Sequence, residues 1–304
     1  MIKTMTDYQD LFKNNVIIIS GFGRSGTTIL GKIIGSMEST VYLFEPALIK
    51  YISVGDHIFL SGEEAEILKQ TFLGTLFEDY VLPGVQGRSL SSNPKDWTYV
   101  HNHISKEELE KRQSLNRRAD AMEWIKKNNP TIVIKTNESQ DQFDLFRELF
   151  PKCKIIHITR SGIDAVASSM ERNWYGNDYE GIEFADENNI PLFIPRQERV
   201  NWINYNRETR AAMSWRILNR KGIIFKGKIQ VSYEDMCSNP EITVEDLCIK
   251  LGLVPTQITK DHIKSIKKPE REEISLDDIQ SPERERFFKA MESFGYGHEI
   301  EELL

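Results

Sequence analysis

A glycine-rich turn stands near the start of the chain, between a strongly apolar segment and a helix-like one. Residues 21–26 read Gly-Phe-Gly-Arg-Ser-Gly, the β-branched run 16–20 precedes them, and apolar residues at helical spacing follow from Thr27. Such a turn directs several backbone N–H groups, and the positive end of the next helix, at one point. The sequence therefore predicts that this turn, called the glycine loop below, binds an anion. A purely structural tight turn is the alternative.

Two nucleotide-binding patterns overlap with the glycine loop. Its spacing matches the dinucleotide pattern G-x-G-x-x-G, and Glu45 stands where an acid that binds a ribose would be expected. The loop also matches most of an ATP-binding P-loop, but Thr27 occupies the position of the essential Lys. A kinase further needs a Mg²⁺ ligand, yet the third and fourth apolar segments end in Lys135 and Arg160. Both patterns leave neighbouring residues without a role.

A second group of residues could hold another phosphate. Arg160 follows the apolar segment 154–159, Ser168 comes eight residues later, and Arg172 stands four residues beyond Ser168. An Arg at a strand end and a Ser on the next helix can converge on one phosphate through a guanidinium fork and a hydroxyl. We expect Arg172 one helical turn beyond Ser168 on the same helix face. A salt-bridged strand end is the alternative role for Arg160.

Together the two groups resemble the motifs of sulfotransferases, the enzymes that use 3′-phosphoadenosine 5′-phosphosulfate (PAPS). Residues 24–28, Arg-Ser-Gly-Thr-Thr, are similar to the family's 5′-phosphosulfate loop, and residues 158–172 are similar to its 3′-phosphate motif. The resemblance covers residues 16–253, apart from 83–118 and 173–195, and a late Val-Ser-Tyr-Glu segment belongs to it. It implies PAPS as the sulfuryl donor, with backbone amides and Thr hydroxyls on the 5′-phosphate. The donor-binding residues that it implies are Arg24, Ser25, Gly26, Thr27, Thr28, Arg160, Ser168, Arg172 and Tyr233.

The same resemblance implies three catalytic residues. Glu45 stands 21 residues after Arg24, close to where tyrosylprotein sulfotransferases place their catalytic Glu, and carbohydrate sulfotransferases carry a similar Leu-Phe-Glu-Pro segment. Lys135 corresponds by order to a Lys that contacts the leaving oxygen. We therefore expect Glu45 as the general base, Lys135 where negative charge develops, and Arg24 near the transferring group. Structural roles at strand ends remain the alternatives for Glu45 and Lys135.

Regular elements must bring these residues together. Buried-strand patterns occur at residues 16–20, 40–44, 131–135, 154–159 and 228–233, and helical spacing occurs at 27–37 and 283–294. Strands that alternate with helices predict an α/β fold with a central, mostly parallel sheet flanked by helices, here P-loop-like. We expect a single domain over residues 1–304. Segments 83–118 and 173–195 break the pattern, so we interpret them as insertions or lids on the substrate side.

The amino-acid composition disfavours several classes of function. The 304 residues carry 39 Lys and Arg against 46 Asp and Glu, a formal net charge of −7, which disfavours binding of duplex nucleic acid. Three widely spaced Cys indicate neither a disulfide framework nor a zinc site, and no segment resembles a signal peptide or membrane span. We expect a cytoplasmic protein that uses no metal and binds no membrane.

The expected function is PAPS-dependent transfer of a sulfuryl group to a hydroxyl of a small-molecule acceptor. An amine or amide nitrogen is the second option, and a natural product is the expected kind of acceptor. Two alternatives remain: a small-molecule or nucleotide kinase with a degenerate P-loop, and a non-catalytic nucleotide-binding module.

Overall fold

A computed structural model of the chain describes residues 12, 15–49, 63–172, 174–176, 185–186, 188–267 and 274–301. It contains a five-stranded sheet in the order β2-β3-β1-β4-β5, and every neighbouring pair of strands is parallel. Helices cover both faces, so the predicted α/β fold class is confirmed. The strands are β1 (Val16–Gly21), β2 (Thr40–Phe44), β3 (Thr131–Lys135), β4 (Lys154–Thr159) and β5 (Ile229–Ser232).

Fourteen α-helical segments lie within the described ranges. They are α1 (Thr27–Gly35), α2 (Glu63–Leu76), α3 (Leu82–Val85), α4 (Lys106–Gln113), α5 (Arg118–Asn128), α6 (Phe143–Leu149), α7 (Gly162–Met170), α8 (Arg199–Asn204), α9 (Arg207–Ile224), α10 (Tyr233–Ser238), α11 (Pro240–Leu251), α12 (Gln257–Ser265), α13 (Glu283–Ser293) and α14 (Gly297–Glu301). A π-helical turn, Phe77–Val81, joins α2 to α3.

The structure describes all of segment 83–118 but only part of segment 173–195, the two segments that break the strand–helix pattern. Residues 83–118 are partly helical: they include most of α3 and all of α4. Of the segment 173–195, residues 173, 177–184 and 187 lie outside the described residues.

The β-branched strands are buried because both faces of the sheet are covered. Ile17 and Ile19 of β1 pack among residues of α1 and α11, whereas Val16 and Ile18 face a core that includes Phe143 of α6. This is why the strand segments read as continuous apolar runs without polar alternation. The five predicted strands agree with the structure to within one residue at each end.

The strand order explains why the candidate residues can meet. β1 is the central strand of the sheet. β3 lies on one side of β1, and the chain then crosses over to form β4 on the other side. In open parallel sheets, ligands bind beyond the carboxyl ends of the strands at such a switch point. The glycine loop follows β1, so the ends of β3 and β4 lie on either side of it.

Two glycines of α1 allow that helix to lie close to β2. Tyr42 of β2 lies against Gly31 and Gly35, one turn apart, and a Cβ at residue 35 would stand 2.6 Å from Cγ of the Tyr42 ring. Since α1 begins at the glycine loop and Glu45 follows β2, this contact joins the helix behind the loop to the strand that carries Glu45.

We predict that Gly35→Ala destabilises the protein by about 1–3 kcal/mol, because a methyl group overpacks the contact with Tyr42. Gly297→Ala is the matched control, since its Cβ would come no closer than 3.4 Å to the nearest atom described. Urea unfolding followed by circular dichroism gives both values. A loss for Gly35→Ala no larger than for the control would contradict close packing.

A second prediction concerns His157, a buried residue of β4. Desolvation lowers its pKa to about 4, and it lowers the pKa of buried His103 to about 3. The unfolded chain therefore binds more protons than the folded one below about pH 6.5, and folding stability falls as the pH falls toward 4. Lowering the pH from 7 to 5 should cost about 2 kcal/mol of stability through His157.

His157→Gln should therefore lose part of this pH dependence. Urea unfolding of the wild type and the variant at pH 7 and at pH 5 measures the difference. An unchanged pH dependence in His157→Gln would contradict a buried neutral His157.

Candidate active site

The glycine loop is a tight turn in which two residues adopt left-handed backbone conformations. The N–H of Ser25 donates to the carbonyl oxygen of Phe22 at 3.1 Å, and φ is 68° at Arg24 and 86° at Gly26. A side chain at residue 26 would also overlap the ring of Tyr233, so glycine is required there. Helix α1 begins at Thr27 and has no acidic residue in its first turn. Its positive end therefore favours an external anion.

The hydroxyl groups of the loop differ in their surroundings. Ser25 is fully buried, and its Oγ has no hydrogen-bond partner among the described residues. Thr27 Oγ1 donates to Oδ1 of Asn137 at 2.7 Å, and Thr28 is half-buried. Buried polar atoms are nearly always hydrogen-bonded in folded proteins, so an unpartnered Oγ in an anion-binding turn is consistent with a ligand.

The two predicted phosphate-binding groups are in direct contact. Arg24 Nε donates to Oγ of Ser168 at 3.0 Å, and Nη1 of Arg160 donates to the carbonyl oxygen of Arg24 at 3.0 Å. Arg160 is 7% exposed, and its buried Nε has no hydrogen-bond partner among the described residues. Its guanidinium lies 4.9 Å from the centre of the Tyr233 ring, a cation–π contact. Burial raises the pKa of Tyr233 to about 12, so its phenol stays protonated.

Arg172 lies apart from this contact. Helix α7 ends at Met170, and the N–H groups of Arg172 and Trp174 both donate to the carbonyl oxygen of Ser169, each at 3.2 Å. The chain therefore turns before Arg172, whose side chain is exposed. The expectation that Arg172 extends the helix face of Ser168 is wrong, and its role in donor binding stays a prediction.

Glu45 and Lys135 form an ion pair at the ends of β2 and β3. Lys135 is 0% exposed, and its Nζ donates to Oε1 of Glu45, which also accepts from Nδ2 of Asn137 at 2.7 Å. Nζ lies 4.6 Å from the centre of the Phe44 ring. Lys135 is therefore not a solvated strand end. Glu45 is half-buried with φ at 42°, a conformation that a non-glycine residue adopts only when its surroundings hold it.

Asn137 connects this ion pair to the glycine loop. Its Oδ1 accepts from Thr27 and its Nδ2 donates to Glu45, so one amide bridges the start of α1 and the carboxylate. We did not predict a role for Asn137 from the sequence. Its position two residues after a strand-end Lys was the available signal, because polar residues just beyond parallel strands face the same edge.

A second group of residues, for which we predicted no role, holds the backbone of Arg160 and of its neighbour Ser161 by hydrogen bonds. Trp215 Nε1 donates to the carbonyl oxygen of Arg160 at 3.1 Å, and the N–H of Ser161 donates to Oε1 of Glu234 at 2.8 Å. Tyr296 Oη donates to Oε2 of Glu234 at 3.2 Å, and Ser161 Oγ donates to Glu299. Trp215 comes from α9, Glu234 from α10, and Tyr296 and Glu299 from the segment around α14, whereas Ser161 directly precedes α7. Only Ser161 and Glu234 had a signal in the sequence, since they follow Arg160 and Tyr233.

Neither a metal-binding cluster nor a membrane-spanning helix occurs among the described residues. Within those ranges, no group of three or more His, Cys, Asp or Glu side chains is arranged to hold a metal ion. No helix in that part of the chain is long and apolar enough to cross a bilayer.

Solved structures with a similar fold include the sulfotransferase domain from the curacin biosynthetic pathway. The chain is 15% identical to that domain, with a TM-score of 0.50, over 93% of this chain and 98% of the other. The sulfotransferase domain of the Synechococcus PCC 7002 olefin synthase is 16% identical, with a TM-score of 0.49, over 93% and 96%. Sulfotransferase STF1 from Mycobacterium tuberculosis H37Rv is 15% identical, with a TM-score of 0.43, over 95% and 79%. At these identities the likeness concerns the fold.

No curated protein sequence matches the chain significantly. The sequence model described as "Sulfotransferase family", in contrast, matches residues 16–257, a range that includes β1 to β5, the glycine loop and every residue of the site described above except Tyr296 and Glu299. The chain therefore belongs to the sulfotransferase family.

Proposed function

We propose that this protein transfers the sulfuryl group of PAPS to a hydroxyl group of a small-molecule acceptor. One observation carries the proposal: the two predicted phosphate-binding groups touch, through the bonds from Arg24 to Ser168 and from Arg160 to the Arg24 carbonyl. A ligand with phosphates at both ends of one nucleoside, as PAPS has, would use both groups at once. A dinucleotide or ATP would leave the second group without a role.

The side chains present fit such a donor. The N–H groups of the glycine loop and the buried Oγ of Ser25 would bind the 5′-phosphate, together with the hydroxyls of Thr27 and Thr28. Arg160, whose buried Nε lacks a partner among the described residues, and Ser168 would bind the 3′-phosphate. Tyr233, which packs on Gly26 and under Arg160, would lie beside the nucleotide.

Arg24 belongs to the glycine loop and also contacts the second predicted phosphate-binding group. We expected it near the transferring group, and its Nε bond to Ser168 directs it toward the predicted 3′-phosphate site. A guanidinium offers five N–H donors in a planar fork. We therefore assign Arg24 to both ends of the donor: part of the guanidinium stays with Ser168, and the rest neutralises charge near the sulfuryl group.

Sulfuryl transfer needs a base and a stabilised leaving group. The acceptor oxygen forms a bond to sulfur, the bond from sulfur to the 5′-phosphate oxygen breaks, and the acceptor proton goes to a base. We assign Glu45 as that base and Lys135 as the cation that stabilises the leaving phosphate oxygen. Their ion pair suits both roles, because it places a carboxylate beside an ammonium group that would stand where negative charge develops.

Asn137 completes this arrangement. Its hydrogen bond to Glu45 orients the carboxylate, and its bond to Thr27 ties that orientation to the 5′-phosphate loop. The acceptor would approach from segments 83–118 and 173–195, which we propose as substrate-side insertions of a single domain. A natural product is the proposed acceptor, with nitrogen as the second option to oxygen, in a cytoplasmic and metal-independent reaction.

We predict that the protein binds 3′-phosphoadenosine 5′-phosphate (PAP) far more tightly than ADP, which has no 3′-phosphate. Arg160→Ala should weaken PAP binding about 10- to 100-fold and ADP binding by a smaller factor, because only PAP loses a charge-assisted contact to a 3′-phosphate. Arg118→Ala is the matched control, since Arg118 pairs with Glu78 on the surface. Calorimetry measures each affinity, and its repetition with EDTA shows whether binding depends on a metal ion. Equal affinity for PAP and ADP in the wild type would contradict the assignment.

We predict that Glu45→Ala lowers kcat by about 10²–10⁴-fold and leaves PAP affinity nearly unchanged, because a base acts on the acceptor proton. Lys135→Met should lower kcat and also weaken PAP binding, because it removes a cation that attracts the donor. Transfer of ³⁵S from labelled PAPS to a panel of phenols and alcohols measures turnover. Near-normal turnover of Glu45→Ala, with any acceptor that the wild type uses, would make Glu45 a structural residue.

A further inference from the structure

Trp174 and Tyr175, which follow α7 in the chain, lie directly on the glycine loop. A Cβ at Gly23 would stand 2.7 Å from Cζ3 of Trp174 and 3.1 Å from Oε1 of Glu138. The ring of Tyr175 lies parallel to that of Phe22, with centroids 6.3 Å apart and planes inclined by 5°. The loop is thus in contact with residues that neither phosphate-binding motif contains.

Tyr175 is held firmly in this position. Its Oη donates to Oε1 of Glu138 at 3.1 Å, and its carbonyl oxygen accepts from Nη1 of Arg210 at 3.4 Å. Its ring meets Trp202 edge to face, with centroids 6.0 Å apart. The residue is 5% exposed, and φ is 65°. A left-handed conformation at a bulky aromatic residue persists only where the surroundings determine it.

Glu138 joins Tyr175 to the loop and to the active-site edge of the sheet. Its N–H donates to the carbonyl oxygen of Gly21 at 3.0 Å, it follows Asn137 directly, and its own φ is 55°. A carboxylate beside a phosphate-binding turn repels the phosphate, so its charge alone disfavours that site. Its hydrogen bond to Tyr175 offers a reason for an acid to stand there.

We infer that Glu138 and Tyr175 are positioning residues that hold the glycine loop in its anion-binding conformation. We call this arrangement the Tyr175 lock: the Tyr175 ring supports Phe22, Glu138 fixes the hydroxyl of Tyr175, and Glu138 and Trp174 restrict Gly23. Neither residue needs to touch the donor. The consequence for donor binding rests on the proposed function, whereas the effect on the loop does not.

Substitutions at Glu138 separate the effect of its negative charge from the effect of its hydrogen bond to Tyr175. Glu138→Gln keeps an oxygen that can accept from Tyr175 and removes the negative charge, so it should preserve the loop and bind PAP as tightly as the wild type or more tightly. Glu138→Ala and Tyr175→Phe both remove the hydrogen bond and should loosen the loop. If the charge of Glu138, rather than its hydrogen bond to Tyr175, held the loop, Glu138→Gln would loosen the loop as much as Glu138→Ala does.

Hydrogen exchange followed by mass spectrometry of the full chain without ligand tests the lock. Tyr175→Phe and Glu138→Ala should speed exchange in peptides that cover residues 21–26 by about fivefold or more, the effect of one lost hydrogen bond. Glu138→Gln, and the control Tyr80→Phe in the π-helical turn, should leave it unchanged. Peptides from α13 serve as the internal reference.

PAP affinity of the same variants then connects the lock to donor binding. Tyr175→Phe should weaken it about fivefold, with the melting temperature close to that of the wild type. Unchanged loop exchange in Tyr175→Phe, or equal acceleration in α13, would overturn the lock. If the wild type does not bind PAP, the proposed function fails, and the exchange measurement still decides on the lock.

Discussion

A fully buried ammonium group constrains the active-site edge of this sheet. Lys135 ends β3 with its side chain 0% exposed, and an unpaired charge in that position would be costly. Glu45, which directly follows β2, supplies the negative charge that pairs with this ammonium group. Phe44, the last residue of β2, is in register with Lys135. The N–H of Glu45 also donates to the Lys135 carbonyl at 2.8 Å, and the strained φ of Glu45 accompanies these contacts. The pairing places a carboxylate and an ammonium side by side next to the glycine loop.

The rest of the site is arranged around that pair by the strand order. β1, β3 and β4 deliver the glycine loop, Lys135 and Arg160 to one edge, and Asn137 connects the pair to Thr27. The chain has a formal net charge of −7, yet this edge gathers cations and backbone N–H groups. Binding of an anion here depends on local groups, because exposed charges farther than about 8–10 Å away are screened by salt.

The strands and the glycine loop could be predicted because local signals specify them. β-branched runs buried on both faces fit few other structures, and a glycine-rich turn between a strand and a helix has a restricted geometry. The burial of Lys135 could not be predicted, because its depth depends on how α1 and Phe44 cover it. The end of α7 at Met170 was also missed: the turn after it follows from the packing of Trp174 on Gly23, a contact between distant parts of the chain. Likewise Glu138 and Tyr175 meet only through the tertiary fold.

The central claim, that one nucleoside bridges the loop after β1 and the loop after β4, is tested most directly by ³¹P NMR of PAP during titration with the protein. The account predicts that the 3′- and 5′-phosphate resonances both shift on binding, and that Arg160→Ala diminishes the shift of the 3′-phosphate first. A shift of the 5′-phosphate resonance alone in the wild-type protein would contradict it.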